Sequence, residues 1–119
     1  MSFEAVSTVY PEYLHIKAST DYTLECLFKF LGYVRSEVDR TQQKRVFIDS
    51  RDFRGSMTEA DRFMGGQKIA ELFGSRIKIA LLMPGAQITK LGEITAVNRG
   101  AKFFVTDCED EGRRWLLAD

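Results

Sequence analysis

The residues best suited to chemistry lie in one polar stretch, between a short apolar segment and a predicted helix. Ser50 and Ser56 offer hydroxyl groups there. Arg51 and Arg54 offer guanidinium groups beside them. Thr58 marks the expected start of the helix, whose first amide groups attract anions. Together these residues can hold a phosphate or another anion, with charge-assisted hydrogen bonds from the arginines.

The same stretch can instead be a plain polar connection. Acidic residues surround the arginines and offset their charges; they are Asp49, Asp52, Glu59 and Asp61, facing Arg51, Arg54 and Arg62. Ion pairs and helix caps formed within the loop would then satisfy its polar groups without a ligand. The residues alone leave both interpretations open.

Other reactive residue types form no recognisable site in the sequence. His15 is the one histidine, and no nucleophile or carboxylate stands beside it to form a catalytic dyad. Cys26 and Cys108 are far apart and outside any CxxC pair, so we expect buried, reduced thiols. Asp49 with Asp52 supplies too few oxygen ligands for a hard cation. We therefore expect no enzymatic activity, no cofactor and no metal.

A second set of candidates is apolar. Aromatic residues and methionines are frequent in the predicted helices and in the polar loop, where they can line a site for a small apolar ligand or a lipid, or meet a membrane surface. These candidates are Phe30, Tyr33, Phe53, Met57, Phe63 and Met64. The alternative is an ordinary core between helices and sheet, which is built of the same residue types.

The segment Val46 to Ile48 is the element that must position the polar loop. Its unbroken apolar run is typical of a strand buried on both faces. Thr58 followed by Asp61 predicts a helix start with a capping box. Because ligands gather where strands end and helices begin in open α/β sheets, we expect residues 49–57 to lie at the mouth of the fold.

The flanking segments complete a pattern of strands and helices. Residues 3–18 alternate around Tyr10 and Pro11 and predict an N-terminal hairpin. Asp21 is predicted to cap a helix that runs to about residue 41. A second helix from Thr58 to about residue 73 contains an apolar set and is predicted to stop at Gly74, and paired glycines inside it predict a kink or a close backbone contact. The set is Ala60, Phe63, Met64, Ile69, Ala70, Leu72 and Phe73, and the glycines are Gly65 and Gly66.

The C-terminal half repeats the alternation. Residues 76–83 predict a buried strand, residues 87–98 a helix, and residues 103–105 a short last strand. Asp107 with Asp110 predicts the cap of a final helix that closes over the sheet through Cys108, Trp115 and Leu116. The expected order is β-β-α-β-α-β-α-β-α in a single domain, residues 1–119, with a mixed sheet of four to five strands and about four helices.

Charge and hydropathy exclude two classes of partner. The chain has 17 basic and 17 acidic residues, so it lacks the positive field that attracts nucleic acids. Its apolar runs are far shorter than the ~20 residues that cross a bilayer, and no targeting segment opens it. We expect a cytoplasmic protein without a transmembrane segment.

The sequence resembles the STAS-like, or SpoIIAA-like, domains, which share the fold of anti-sigma factor antagonists. The resemblance covers nearly the whole length and rests on element order and a few short runs. These runs are Val46 to Asp49, Thr58 to Arg62, Ile77 to Ala80, Ala96 to Ala101 before Phe103 to Val105, and Trp115 with Leu116.

The resemblance implies a non-enzymatic, regulatory binding domain. In the antagonist branch, a serine after the strand-end aspartate is the phosphoacceptor, and Ser50 matches that position, although residues 51–55 intervene here before the helix. We expect a protein partner to bind at residues 49–57 and the helix that follows. The alternative is a carrier or sensor of a small apolar ligand or lipid, with peripheral membrane association. An edge strand could also support a homodimer.

Overall fold

Strands and helices alternate in the order that the sequence predicts. The structure, a computed structural model, describes residues 3–118. The elements are β1 (Glu4–Val9), β2 (Leu14–Ser19), α1 (Leu24–Thr41), β3 (Arg45–Asp49), α2 (Glu59–Phe73), β4 (Lys78–Leu82), α3 (Leu91–Asn98), β5 (Lys102–Thr106) and α4 (Glu109–Leu117), with one 3₁₀ turn (Gly85–Gln87) before α3.

The five strands form one mixed sheet in the order β1-β2-β3-β4-β5. The hairpin β1–β2 is antiparallel, as predicted, and all later neighbours are parallel. Since every crossover joins adjacent strands and such connections are right-handed, α1, α2 and α3 share one face of the sheet. Helix α4 packs on the opposite face.

Strand β3 lies in the middle of the sheet, which confirms the prediction for its apolar triplet. Val46 and Ile48 belong to the larger core under α1, α2 and α3. Phe47 points to the other face, where it packs with Leu116 of α4. All three side chains are buried, because helices cover both faces of this strand.

The start of α1 differs from the prediction. Thr23, not Asp21, is the N-cap, and its hydroxyl accepts the amide of Cys26 at 3.0 Å. Asp21 is engaged elsewhere: its backbone bridges to Arg54, and its carboxylate accepts the Arg54 guanidinium at 2.6 Å. A contact distant in sequence therefore removes the expected cap.

Helix α2 has the predicted bounds but a different buried face. The Thr58 hydroxyl accepts the Asp61 amide at 3.1 Å, as the cap predicts. The buried residues are Arg62, Gly65, Gly66, Ile69 and Phe73, while Ala60 and Phe63 are exposed. The apolar set therefore lies only partly on the buried face, and its N-terminal members are outside it. The predicted close backbone contact is confirmed, since a Cβ on Gly66 would lie 2.5 Å from the Gly92 carbonyl oxygen.

The last two helices begin later than expected. Helix α3 starts at Leu91 instead of residue 87, because Lys90 adopts a left-handed conformation with φ 70°. Cys108, not Asp107, is the N-cap of α4. The Cys108 amide donates to the Thr106 hydroxyl, and Cys108 is exposed, which corrects the expectation of a buried thiol closing over the sheet. Cys26 is buried, as expected.

Candidate functional site

A cavity of about 110 Å³ lies between the sheet and helices α1, α2 and α3. Three parallel strands form its floor through Ile48, Ile79, Leu81, Phe103 and Val105. Helix α1 contributes Leu27, Phe30 and Leu31. An apolar cavity of about 150 Å³ suffices for benzene, so a space of this size suits a short apolar molecule.

The glycines of α2 explain why this space exists. Gly65 and Gly66 lie on the buried side of the helix and send no side chain toward the sheet. Gly66 lets α2 approach α3 so closely that an added Cβ would also lie 2.9 Å from the Thr95 Cβ. The helix is thus held mainly by its neighbours α1 and α3, and volume remains between it and the strands.

Two polar atoms of residues that line this apolar cavity lack a hydrogen-bond partner. They are the Tyr22 hydroxyl and the Arg62 Nε, the buried side-chain polar atoms that lack such a partner within residues 3–118. Arg62 is 9% exposed. A buried polar group without a hydrogen bond costs about 1 to 3 kcal/mol, so both atoms need an explanation.

Tyr22 is protonated and acts as a donor. Burial raises its pKa, and the nearby Asp61 carboxylate raises it further. The Arg62 charge partly opposes this shift in pKa, so the two groups are close enough to influence each other. The Tyr22 amide donates to the Arg54 carbonyl oxygen at 2.7 Å, which fixes the residue against the loop.

The charges around the cavity are already paired. Arg62 Nε lies 3.2 Å from a Glu59 carboxylate oxygen, an ion pair without hydrogen-bond alignment. Lys90 lies 3.3 Å from Glu93, and both residues line the cavity. Their other contacts are with Val105, whose carbonyl oxygen accepts Lys90 and whose amide donates to Glu93. The rim therefore carries no surplus positive charge.

The structure gathers three of the six predicted apolar candidates at the cavity. Phe30, Phe53 and Met57 line it, and Phe30 packs edge to face against Phe53 with ring centroids 5.6 Å apart. The others lie elsewhere: Tyr33 shares a hydrogen bond with Ser7, Phe63 is exposed, and Met64 is half-buried outside the cavity lining. Phe30 and Tyr33 both belong to the core between α1 and the sheet: Phe30 is buried in it, and Tyr33 packs against it.

The residues proposed for an anion site are engaged with the protein itself. Arg51 binds the Asp49 carboxylate, and Arg54 binds that of Asp21. Ser50 is buried, and its hydroxyl donates to the Leu82 carbonyl oxygen at 2.9 Å. Thr58 caps α2 and Ser56 is exposed. A phosphoacceptor role for Ser50 therefore requires the hydroxyl to leave its bond to Leu82.

Asp49 ends β3 inside a network of cations. Its side chain is 6% exposed, and Arg51 contacts it through both Nε and Nη2, at 3.0 and 2.8 Å, while Lys17 lies 3.7 Å away. Burial alone would raise the pKa of Asp49. Hydrogen bonds from the Arg51 side chain and amide, with the charges of Arg51 and Lys17, outweigh burial and hold the pKa below its usual value.

The first prediction concerns the Asp49→Asn variant. Since the folded-state pKa is depressed, the carboxylate stabilises the fold above the unfolded-state pKa of about 4, and this contribution disappears as pH falls through the folded-state pKa. We expect the variant to unfold about 1 to 2 kcal/mol more easily at pH 7 and to equal the native chain near pH 2. Urea unfolding at both pH values measures this.

Asp52→Asn is the matched control. Asp52 is 59% exposed and lies 3.7 Å from Lys17, so solvent screens its ion pair and we expect a change within about 0.5 kcal/mol. A cost for Asp49→Asn that is the same at both pH values would show that the network is not what stabilises this strand end.

Sequence reasoning missed Tyr22 as a site residue and gave Arg62 only a supporting part. A signal for Arg62 was present: it shares a helical stripe with Ile69 and Phe73, three positions that face one way, and a charged residue on such a stripe is unusual. Tyr22 carries no comparable signal, because the bridge between Asp21 and Arg54 brings it to the cavity.

Residues 3–118 contain neither a cluster of metal ligands nor a membrane-spanning helix. No three His, Cys, Asp or Glu side chains there converge as metal ligands. No helix in the same range has the length and apolar character needed to cross a membrane. His15 stacks on Phe47 on the other face, with ring centroids 5.4 Å apart, and burial lowers its pKa.

Comparison with known proteins adds no assignment to this geometry. No model of a known family matches the chain, and no curated protein matches its sequence. The candidate site is therefore defined by its own residues: an apolar cavity under α2 into which Tyr22 and Arg62 bring hydrogen-bond donors.

Proposed function

We propose that the protein binds a small apolar ligand in the cavity under α2 and works as its carrier or sensor. The observation that carries the proposal is the cavity itself, of about 110 Å³, lined by side chains from three strands and three helices. Interiors are normally packed without such spaces, and forming one costs stability. A function in binding explains why the space is present.

The surroundings of the cavity support entry from one side. Among its lining residues, Gly55, Pro84 and Thr89 are exposed, so the cavity reaches the surface between residues 50–58 and 84–90. The Thr89 hydroxyl donates to Glu59 at 2.9 Å, which links the two sides of this opening. Helix α2 packs mainly on α1 and α3 and has few contacts with the sheet, which leaves space beneath it.

A larger side chain inside the cavity should compete with the ligand for space. Leu81 on β4 lines it, and Leu81→Phe adds a ring in the direction of the ligand. We expect affinity for n-pentane to fall at least about tenfold, because the ligand must displace that ring. A titration followed by amide resonances in NMR measures the change. Native mass spectrometry of gently purified protein would identify a natural ligand.

Leu117→Phe is the control for this substitution. Leu117 is half-buried on the opposite face, among the residues that pack with Leu116, so the same change leaves the cavity untouched. We expect unchanged affinity. The proposal is wrong if neither n-pentane nor a ketone of the same chain length shifts the resonances of cavity residues, or if both variants bind the probe equally well.

A protein partner is the second candidate function, and exposed apolar side chains favour it. Ile94 and Val97 on α3 are 52% and 47% exposed, and Phe63 on α2 is 40% exposed. A partner that covered these residues would contact α2 and α3 beside the expected loop, residues 49–57. If Phe63→Ser combined with Val97→Ser left capture of a partner unchanged, this surface would not be the docking site.

Membership in the STAS-like domains is also a proposal. The element order and the mixed sheet with its N-terminal hairpin support it. A superposition on a STAS-like domain that failed to align β2 to β5 with the same connections would refute it.

A further inference from the structure

We propose that the ligand carries a neutral carbonyl oxygen, which accepts hydrogen bonds from Tyr22 and Arg62. The inference rests on the proposed binding function and names the chemistry of its ligand: a short apolar ketone, ester or aldehyde. Two donors inside a largely apolar cavity select for one acceptor on the molecule that fills it.

Both unpartnered atoms are donors. The Arg62 Nε–H can only donate. The Tyr22 hydroxyl is protonated, and donation to a ligand oxygen would satisfy the bond it lacks in the structure. A carbonyl oxygen has two lone pairs and can accept both bonds at once. A pure hydrocarbon would leave both donors buried and unsatisfied, which a binding site normally avoids.

The surrounding charges favour a neutral acceptor over a carboxylate. Glu59 already balances Arg62 at 3.2 Å, and Glu93 balances Lys90 at 3.3 Å. Asp61 adds a negative charge near Tyr22. A ligand carboxylate would therefore enter a region whose cations are already paired and would be repelled by the remaining acid. A carbonyl dipole gains the hydrogen bonds without this repulsion.

The size of the cavity limits the ligand. A volume of about 110 Å³ suits a molecule of roughly five to six heavy atoms, by comparison with the cavity of about 150 Å³ that binds benzene. Pentan-2-one, n-pentane and pentanoate have six, five and seven heavy atoms; they share a five-carbon chain and differ in the group offered to the two donors. They form a matched series for the test.

The experiment compares the three probes by NMR titration of the intact protein. We expect pentan-2-one to bind about five- to tenfold more tightly than n-pentane or pentanoate, the usual gain from one or two net hydrogen bonds. The Arg62 Nε–H resonance should shift with the ketone and not with n-pentane. The ¹³C resonance of a labelled ketone carbonyl should move downfield as it accepts the bonds.

Tyr22→Phe removes one donor and keeps the ring. We expect it to weaken ketone binding about fivefold and to leave n-pentane binding unchanged. Tyr33→Phe is the control, since the Tyr33 hydroxyl bonds to Ser7 at 2.6 Å outside the cavity. If Tyr22→Phe does not fold, the probe series and the Arg62 resonance in the native chain decide the question.

The outcomes separate the two proposals. If n-pentane and the ketone bind equally and Tyr22→Phe changes neither, the carbonyl inference is wrong and the binding function stands. If pentanoate binds most tightly, the site prefers an anionic ligand and the neutral acceptor is refuted. If no probe binds, the binding function fails and the carbonyl inference fails with it.

Discussion

Replacing Phe47 with alanine should lower the free energy of unfolding by about 4 kcal/mol, the largest effect we expect from a single substitution. The Phe47 side chain is fully buried in the central strand. It stacks on His15, lies under the Arg113 guanidinium at 5.9 Å, and packs against α4, where a Cβ on Gly112 would lie 3.1 Å from its ring. Removing the ring leaves a space that none of these groups can fill.

Phe63→Ala is the control for this measurement. It removes the same ring from a position that is 40% exposed, where Arg99 lies over the ring at 5.3 Å. We expect a cost within about 1 kcal/mol. Urea unfolding of both variants gives the comparison. Equal costs would mean that β3 is not the buried centre of the sheet, and the placement of the loop after it would lose its basis.

Gly66→Ala should destabilise the protein by about 2 kcal/mol, the second largest effect. A methyl group there would meet the Gly92 carbonyl oxygen at 2.5 Å and the Ala96 amide nitrogen at 3.2 Å, and backbone cannot move aside as a side-chain end can. Helices α2 and α3 must separate, at a cost typical of overpacking. The gain in helix propensity, about 1 kcal/mol, offsets only part of this cost.

Gly65→Ala separates the effect of the steric contact on stability from the effect of helix propensity. The added methyl at Gly65 would meet only the end of the Leu27 side chain at 3.2 Å, which can rotate away. The gain in propensity is the same, so we expect a change near zero or a stabilisation of about 0.5 kcal/mol. Thermal unfolding of the pair measures the difference. Two variants of equal stability would show that α2 and α3 are not in close contact at Gly66.

Sequence patterns predicted the parts of the fold that depend on neighbours along the chain. Val46 to Ile48 and the strand around Ile79 are short apolar runs, and runs of this kind report burial on both faces. The Thr58 cap and the Gly74 stop of α2 are local signals of the same sort, and both residues occupy those positions. In each case, the residues that form the sequence pattern are also the residues that determine the local structure.

The features that the sequence did not predict depend on contacts between distant segments. Thr23 replaces Asp21 as a cap because Arg54 draws the aspartate away. Residue type alone also did not show that Ala60 and Phe63 are exposed, because the side of α2 that is buried depends on its contact with α3 at Gly66.

The candidate site depends still more on three-dimensional context. A cavity is the volume left between secondary-structure elements, so no single residue type predicts it. Phe30, Phe53 and Met57 were identified as candidates from their chemistry, but Tyr22 reaches the cavity only through the bridge between segments around Asp21 and Arg54. The protein-binding role of the loop, residues 49–57, and phosphorylation of Ser50 stay predictions.

The strands have the same order in the sheet as in the chain, and this order affects how the molecule folds during synthesis. Each strand after β1 joins the one completed just before it, so every parallel pairing closes a loop of a single helix and its turns. A chain emerging from the ribosome can therefore build its sheet one strand at a time. The chamber for a ligand is complete only when β5 adds Phe103 and Val105, and we expect nascent chains halted before β5 to fail to retain n-pentane.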